Sequence, residues 1–396
     1  MDRTALAQRA GVEPGFVDDL VRLGVLDPAA PERATEGDVR RTRVFQDLER
    51  GGIPRAILAE AIATGALSLD FVDHPSYARF TAYEPETFAQ VAARTGIALE
   101  LLATVREATG SPAPDPGDHI RPNELRALPM VRAILDAGVG AEHIERTVRV
   151  AGDGMRRIAE TESDWWWTEI LRPLFEAGLP PAEIGMRTAT FADALEDSEK
   201  AFLIALYHGQ QAHAWMRNIF EGFEATLVGL GLYTRLERQP AIAFVDITGY
   251  SSLTEQRGDA SAAELAGRVA RAIQRAAAVH DGRTIKWLGD GVMLFFPEAA
   301  RAVAAALDIM AALETGGLPP AHAGIHTGPV LFQEGDYFGR TVNAAARIAD
   351  RATRGQVVVS DAVVQAMAGS DIRFEPLGEV ALKNLAQPMT LFVAAR

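Results

Sequence analysis

Apolar and polar positions follow two different periods along the chain, and the change comes near residue 240. Before that point apolar residues recur every three or four positions, as at Leu101, Leu102 and Val105, which predicts amphipathic helices. After it, short apolar runs such as residues 241–245 alternate with helical stretches, which is typical of helices packed on a sheet. The pattern therefore predicts an all-α region followed by an α+β domain.

The helical region repeats itself at an offset of 85 residues. Residues 7–12 (AQRAGV) return as residues 92–97 (AARTGI), and apolar positions at helical spacing follow both segments. Each segment contains a glycine of the kind that ends a helix, and similar stops occur at Gly52, Gly138 and Gly178. These signals predict two copies of a small helix-turn-helix-like unit with part of a third.

Domain boundaries follow from composition. Residues 111–118 (SPAPDPGD) hold three prolines and a glycine, which is typical of an exposed linker. We therefore expect one helical unit over residues 1–110 and a second helical repeat over 119–190. A helical linker is expected over 191–237, and the α+β domain over 238–396.

Within the α+β domain, the pattern predicts strands and helices in alternation. In chain order they are a strand to Val245, helix Ala260–His280, a hairpin over 282–297, helix Glu298–Leu313, strand His322–Thr327, strand Val330–Gln333, helix Thr341–Ala352, strand Gln356–Val359, and two strands near Phe374–Leu382 and Met389–Val393.

Bulk composition excludes several classes of site and partner. The 396 residues include no cysteine, so disulfides and thiolate metal sites are excluded, which fits a reducing compartment. The N-terminus carries no signal-peptide pattern, and no uncharged apolar run reaches membrane-spanning length. We therefore expect a cytoplasmic protein with no membrane partner.

The net charge of −14 is concentrated in the helical region. Residues 1–240 hold 25 basic and 37 acidic side chains, whereas residues 241–396 hold 14 and 16. Because an acidic surface repels a phosphate backbone, this distribution argues against nucleic acid as a partner.

Two carboxylates lie at the ends of apolar strands in the α+β domain. Asp246 directly follows the run 241–245, and Asp290 lies at the tip of the predicted hairpin within a Gly-Asp-Gly turn. Lys286 precedes this tip and is one of only three lysines among 39 basic residues. Because lysine is a point charge and arginine a planar fork, Lys286 is a candidate for one specific hydrogen bond.

These motifs resemble, in order and over residues 238–396, the class III nucleotidyl cyclases, which make cyclic AMP or cyclic GMP. In that family the first metal-binding acid lies in a strand-Asp-Ile-x-Gly-aromatic motif, and the second follows Lys-x-x-Gly. The resemblance assigns these roles to Asp246 and Asp290, with Ile247 contributing its backbone carbonyl. It also implies a ferredoxin-like βαββαβ core and two divalent cations, Mg²⁺ or Mn²⁺, as cofactors.

The same resemblance identifies residues for the nucleotide. The family's base-reading pair is a lysine, here Lys286, and the acid of an Asp-aromatic-aromatic-Gly motif, here Asp336. Its transition-state pair lies in Val-Asn-x-Ala-x-Arg, here Asn343 and Arg347. A phosphate-contacting lysine near the C-terminus corresponds to Lys383, although the asparagine that follows it stands where many relatives have glycine.

Hydrogen-bonding chemistry favours ATP over GTP. Lys286 can only donate and ionised Asp336 can only accept, which matches the N1 acceptor and the N6 amine of adenine. Guanine reverses both groups, and each unsatisfied group would cost roughly 1–3 kcal/mol. The resemblance thus predicts an adenylyl cyclase that converts ATP to 3′,5′-cyclic AMP and pyrophosphate. It also implies a homodimer whose sites combine Asp246 and Asp290 of one chain with Lys286, Asp336, Asn343 and Arg347 of the other.

The N-terminal region resembles MerR-type winged helices at residues 10–12 and 24–26. As a whole it resembles the regulatory region of soluble actinobacterial adenylyl cyclases, so we expect it to control activity. The positions that would face a DNA major groove include Glu13, Asp18 and Asp19, whose charge argues against DNA binding.

Two alternatives stay open from the sequence. The first is a catalytically inactive, nucleotide-responsive protein whose N-terminal unit binds DNA through a basic face. The second is a guanylyl cyclase, which would carry an acid in place of Lys286. The residues also leave open whether the N-terminal region inhibits or activates, and whether pH, a lipid, a small ligand or a protein is its stimulus.

Overall fold

The computed structural model describes residues 2–29, 33–73, 82–234, 239–248, 259–383 and 387–396. The chain divides into two compact units, Met1–Gly222 and Phe223–Arg396. The described part of the first unit is helical, and the second contains every strand that the described residues form. The predicted fold class, an all-α region followed by an α+β domain, is confirmed.

The first unit is built from helices of very different length. In chain order they are α1 Arg3–Ala10, α2 Pro14–Arg22, α3 Glu36–Arg50, α4 Arg55–Ala63, a 3₁₀ turn Asp70–Asp73, α5 Phe88–Thr95, α6 Leu99–Ala108, α7 Pro122–Asp136, α8 Ala141–Trp165, a π-helical turn Trp166–Leu171, α9 Arg172–Glu176 and α10 Pro181–Gly229. Residues 223–229 of α10 belong to the second unit.

The sequence repeat corresponds to a repeated turn between two short helices. α1 ends at Gly11 with φ 72° and α5 ends at Gly96 with φ 66°, both in the left-handed region that favours glycine. After each turn a second helix follows within a few residues and returns apolar side chains, such as Leu20 and Leu102, to a buried core. The repeated motif therefore specifies a helix-turn-helix geometry at both positions.

The second unit contains nine strands and four further helices among its described residues. These are β1 Ala241–Ile247, α11 Asp259–Val279, β2 Arg283–Leu288, β3 Gly291–Phe296, α12 Ala299–Thr315, β4 Ala321–Thr327, β5 Leu331–Gln333, β6 Asp336–Phe338, α13 Arg340–Ala349, β7 Val357–Ser360, α14 Asp361–Ala366, β8 Arg373–Val380 and β9 Met389–Ala395.

Seven strands form one sheet in the order β2-β3-β1-β4-β7-β9-β8. The first six elements run β1-α11-β2-β3-α12-β4, and their strands pair antiparallel in the order β2-β3-β1-β4. This is the predicted ferredoxin-like βαββαβ core. β7 joins β4 in parallel and β9 and β8 extend the sheet, while β5 and β6 form a separate two-stranded hairpin.

The two faces of this sheet have different coverings. Alternate residues of β1, including Ala243 and Val245, pack on one face with buried residues of α11 and α12. On the opposite face Ile242 packs with Tyr337 of β6 and Ala345 of α13. The side chains of even-numbered β1 residues, Asp246 among them, therefore belong to the face that carries α13 and the β5-β6 hairpin.

A glycine on β4 lets α13 lie directly against the sheet. A Cβ atom at Gly324 would stand 2.5 Å from the Cα atom of Ala349 on α13, so any side chain there would force the two elements apart. The close approach sets the height of α13 above the strands.

Two elements of this unit were not predicted from the sequence, β6 and the short helix α14. β5 and β6 have three residues each and are joined by a two-residue turn in which Glu334 has φ 54° and Gly335 has φ 79°. A strand of three residues is too short to show a period of two, which explains why β6 was missed.

No helix within the described residues is long and apolar enough to cross a membrane.

Candidate functional site

Asp246 is positioned by antiparallel pairing on both sides of β1. It lies opposite Gly291 on β3 and opposite His322 on β4. A Cβ atom at Gly291 would come within 3.1 Å of Asp246 Oδ1, so glycine at this position leaves room for the carboxylate. Nε2 of His322 lies 3.8 Å from Oδ2 of Asp246, and its other ring nitrogen, Nδ1, lies 3.3 Å from the Thr248 hydroxyl.

The second carboxylate is attached to the same strand end through the backbone. Asp290 lies in the tight turn between β2 and β3, and its carbonyl oxygen accepts a hydrogen bond of 3.2 Å from the amide of Ile247. The pKa of Asp246 is raised, first by burial and then by the charge of Asp290, while His322 opposes the shift. The sheet thus places the two acids close enough to interact electrostatically.

This donor set fits a hard divalent cation. Carboxylates and backbone carbonyls are the oxygen ligands that Mg²⁺ and Mn²⁺ prefer, and a cation between Asp246 and Asp290 would remove the repulsion that raises the pKa of Asp246. Among the described residues there is no cluster of three or more His, Asp or Glu suited to a metal. A cation here would therefore take its remaining ligands from backbone, water or substrate, as Mg²⁺ commonly does.

Lys286 and Asp336 form a direct ion pair across β2 and β6. Asp336 also accepts a hydrogen bond of 2.8 Å from the amide of Tyr337, and the Lys286 ammonium lies 5.8 Å from the ring centre of Phe338. Both charged side chains are partly exposed, at 37% for Lys286 and 23% for Asp336. The pair is therefore held in place on its inner side and remains accessible to a ligand.

A β-bulge aims Lys286 toward β6. Arg283 pairs with Phe295 and Lys286 pairs with Met293, so three steps along β2 correspond to two steps along β3. In a regular strand these two residues would point to opposite faces, because their separation is odd. The extra residue between Thr284 and Lys286 places both on the face that carries β6 and α13.

Asn343 and Arg347 lie on one side of α13. The opposite side of the helix buries Ala344, Ala345 and Ile348 against the sheet. Asn343 is exposed, and Arg347 donates a hydrogen bond of 2.9 Å to Asp350 one turn further on. The turn that leads from β6 into this helix uses Gly339 with φ 124°, a conformation that other residues rarely adopt. The i, i+4 spacing of Asn343 and Arg347 gives both side chains the same outward direction.

The predicted site residues therefore form three groups on this unit. Asp246, Ile247 and Asp290 meet at the end of β1, Lys286 meets Asp336, and Asn343 lies beside Arg347. Within the described residues no hydrogen bond or ion pair joins one group to another. Lys383 is exposed on the segment after β8 and takes part in none of the three.

His322 is the residue at this site that sequence reasoning missed. Its only signal was a histidine in a predicted strand, and nothing in the sequence indicates which residue of β1 it faces. The register between β1 and β4, which pairs Asp246 with His322, supplies that information.

Two family models match the chain. Residues 233–395 match the adenylate and guanylate cyclase catalytic domain, and residues 84–197 match the adenylate cyclase regulatory domain. Asp246, Lys286, Asp290, Asp336, Asn343, Arg347 and Lys383 all lie within the first of these ranges.

Two named relatives align with 70% and 74% of the chain. The pH-sensitive adenylate cyclase MT1302 of Mycobacterium tuberculosis is 26% identical over 282 residues, covering 70% of this chain and 69% of the relative. An adenylate cyclase of Streptomyces coelicolor is 27% identical over 296 residues, covering 74% of each chain. Among solved structures, the adenylyl cyclase CyaB of P. aeruginosa aligns with 40% of this chain and 94% of its own, at 22% identity and a TM-score of 0.35.

Proposed function

We propose that the protein is an adenylyl cyclase that converts ATP to 3′,5′-cyclic AMP and pyrophosphate, on the premise that residues 233–395 match the adenylate and guanylate cyclase catalytic domain. The observation that carries the choice of ATP is the ion pair between Lys286 and Asp336. This pair presents a donor and an acceptor side by side, which matches adenine and opposes guanine. The names of the actinobacterial relatives agree with this choice.

The reaction assigns a separate task to each group of residues. The ribose 3′-oxygen attacks the α-phosphorus, the bond to the oxygen that leads to the β-phosphate breaks, and the proton of the 3′-hydroxyl passes to water. Two divalent cations, held by Asp246, Asp290 and the Ile247 carbonyl, would lower the pKa of that hydroxyl and neutralise the leaving pyrophosphate.

The remaining residues act directly on the nucleotide. Arg347 would donate to the α-phosphoryl oxygens as negative charge grows on them, exchanging its contact with Asp350 for the phosphate. Asn343, four residues earlier on the same side of α13, would orient the ribose. Lys383 would contact the phosphates of ATP.

The active enzyme is a homodimer with two composite sites. Support comes from the separation of the residues into groups that do not contact each other within the described chain. Each site would combine Asp246 and Asp290 of one subunit with Lys286, Asp336, Asn343 and Arg347 of the partner. Two-fold symmetry then produces two identical sites.

The first experiment measures cyclic AMP and cyclic GMP formed by the full chain from ATP and from GTP with Mn²⁺. We expect cyclic AMP from ATP, and its loss in Asp246→Asn. Asp371→Asn, which changes an exposed aspartate elsewhere in the same unit, is the matched control and should retain activity. Wild-type protein that makes no cyclic nucleotide, or makes cyclic GMP only, would overturn the proposal.

Mixing two inactive variants tests the composite sites. Asp246→Asn and Arg347→Ala fall in different groups, so a heterodimer would contain one intact site, and random mixing should restore about a quarter of wild-type activity. Asp246→Asn and Asp290→Asn fall in the same group, so their mixture should stay inactive. Equal behaviour of the two mixtures would refute sites shared between subunits.

The helical region controls this activity in our proposal. This regulatory role is supported by the match of residues 84–197 to an adenylate cyclase regulatory domain. Comparing the specific activity of the full chain with that of residues 236–396 shows the direction of control, because a more active fragment means inhibition and a less active, folded fragment means activation. Equal activities would contradict a regulatory role.

A further inference from the structure

Beside the Lys286–Asp336 pair lies a second cluster of contacts to which no role has been assigned. Nη2 of Arg283 donates a hydrogen bond of 2.6 Å to the hydroxyl of Tyr337. The guanidinium lies 4.6 Å from the ring centre of Phe295, which stacks on the Tyr337 ring with a centroid distance of 4.5 Å. We call Arg283, Phe295 and Tyr337 the clamp.

The clamp joins β2 and β6, which the Lys286–Asp336 ion pair also connects. β2 is an edge strand of the seven-stranded sheet, and β6 belongs to a hairpin with three residues in each strand. A hairpin of this size is not stable by itself, so side-chain contacts must hold it in place. Tyr337 is 4% exposed and anchors β6 in the core that it shares with Met293 and Ala345.

The clamp and the base-reading pair are adjacent along both strands. Arg283 and Lys286 point to the same face because of the bulge between them. On β6, Tyr337 directly follows Asp336, and the amide of Tyr337 donates to Oδ1 of Asp336. Any displacement of Tyr337 would therefore move the carboxylate that faces Lys286.

We propose that Arg283 is a positioning residue for base selection, acting through Tyr337 to hold Asp336 where it can accept a hydrogen bond from the N6 amine of adenine. This inference rests on the proposed function of the same site. Arg283 itself touches neither the base nor the phosphates in this assignment. Arg283 therefore affects the selectivity for ATP over GTP. If the carboxylate of Asp336 is free to move, it can leave room for the O6 and N1 groups of guanine.

The structure offers a conservative way to release the clamp. Tyr337→Phe removes the hydroxyl that accepts from Arg283 and keeps the ring that stacks on Phe295. Arg283→Gln removes the guanidinium and leaves Tyr337 intact. Arg301→Gln is the matched control, since Arg301 is a half-exposed arginine of the same unit that pairs with Glu298 and Asp281 and does not contact Tyr337.

The test measures kcat and KM of the full-length variants for ATP and for GTP, with the affinity for each nucleotide from equilibrium binding. We expect the ratio of kcat/KM for ATP to that for GTP to fall about tenfold in Tyr337→Phe and in Arg283→Gln, which is the size of one misplaced hydrogen bond. The change should appear mainly in KM, because Asn343, Arg347 and the two metal-site acids are untouched. Arg301→Gln should keep the wild-type ratio.

A double variant separates positioning from general loss of structure. If Arg283 acts through Tyr337, the selectivity of Arg283→Gln/Tyr337→Phe should equal that of either single variant. Unchanged selectivity in both single variants, or a fall in kcat for both nucleotides alike, would overturn the proposal. If the wild-type protein binds ATP in preference to GTP but turns over neither, the proposed function is refuted. The ratio of ATP affinity to GTP affinity in the wild type and the variants would then still decide the role of the clamp.

Discussion

Asp246 and His322 face each other across the antiparallel strands β1 and β4, with Nε2 of the histidine 3.8 Å from Oδ2 of the carboxylate. Burial and the charge of Asp290 raise the pKa of Asp246, and the histidine opposes this shift. The balance decides how much of Asp246 is ionised and able to bind a cation near neutral pH. A substitution at His322 therefore tests how the surroundings of Asp246 set its pKa.

We predict that His322→Gln raises the pKa of Asp246 further. Because only the ionised carboxylate binds a cation, the acidic limb of the pH profile of kcat/KM should move to higher pH. Profiles measured with Mn²⁺ for wild type and variant test this shift. His143→Gln, which changes an exposed histidine of the helical unit, serves as the control. An acidic limb that stays in place would show that His322 has no such influence.

Asp290→Asn should reduce Mn²⁺ binding and activity together. The change removes one hard ligand, and we expect activity to fall at least about a hundredfold, as when one strong electrostatic contact to a reacting group is lost. It also removes a charge that raises the pKa of Asp246, so that pKa should drop. Mn²⁺ titration followed by electron paramagnetic resonance measures the binding directly, and undiminished affinity would exclude Asp290 as a ligand.

Gly324→Ala should destabilise the second unit by about 1–3 kcal/mol, the usual cost of overpacking. The added methyl group would overlap the backbone of α13 at Ala349, so the helix must move away from β4 and carry Asn343 and Arg347 with it. Urea unfolding and the kcat for ATP measure the two consequences. Gly267→Ala is the control in the same unit, because its nearest neighbour is the flexible end of Arg271 and alanine favours a helix.

His326 should make the second unit sensitive to acid. Burial lowers the pKa of this histidine, whose Nδ1 lies 2.7 Å from the hydroxyl of Ser360. As pH falls, His326 takes up a proton at a higher pH in the unfolded chain than in the folded one. The contribution of neutral His326 to the free energy of unfolding is therefore complete above the unfolded pKa of about 6.5 and is lost as pH falls below it. The free energy of unfolding should therefore decrease below about pH 6.5.

The variant His326→Gln isolates this contribution. Its free energy of unfolding should change less between pH 7 and pH 5 than that of wild type, whatever its absolute stability. Urea titrations across this range give both slopes. Parallel slopes for the two proteins would show that His326 is not the group responsible.

Much of the second unit was predictable because its elements are long or carry strong local signals. β1, α12 and the β2-β3 hairpin show clear apolar periods and glycine turns, and their predicted positions agree with the structure within a few residues. β6 was missed because three residues carry no measurable period. Since Asp336 lies on β6, its role could be inferred from a resemblance in sequence and not from local pattern.

The bulge in β2 illustrates a different limit of prediction from the sequence. Its sequence, Arg283-Thr284-Ile285-Lys286, contains neither glycine nor proline to mark an irregularity. A regular strand would have placed Arg283 and Lys286 on opposite faces, and only the pairing with β3 shows that they share one. The clamp around Tyr337 is a consequence of that pairing.

By itself, the sequence determined the fold class, the order of the main elements and the kinds of side chain available for chemistry, because periodicity, turn residues and motif spacing are local properties of a chain. The tertiary structure decided which of those side chains meet. Asp246 faces His322, Lys286 pairs with Asp336, and Arg283 binds Tyr337 through strand register, a bulge and a short hairpin. Such contacts join residues up to about 76 positions apart, and their geometry depends on pairing between strands that no local pattern encodes.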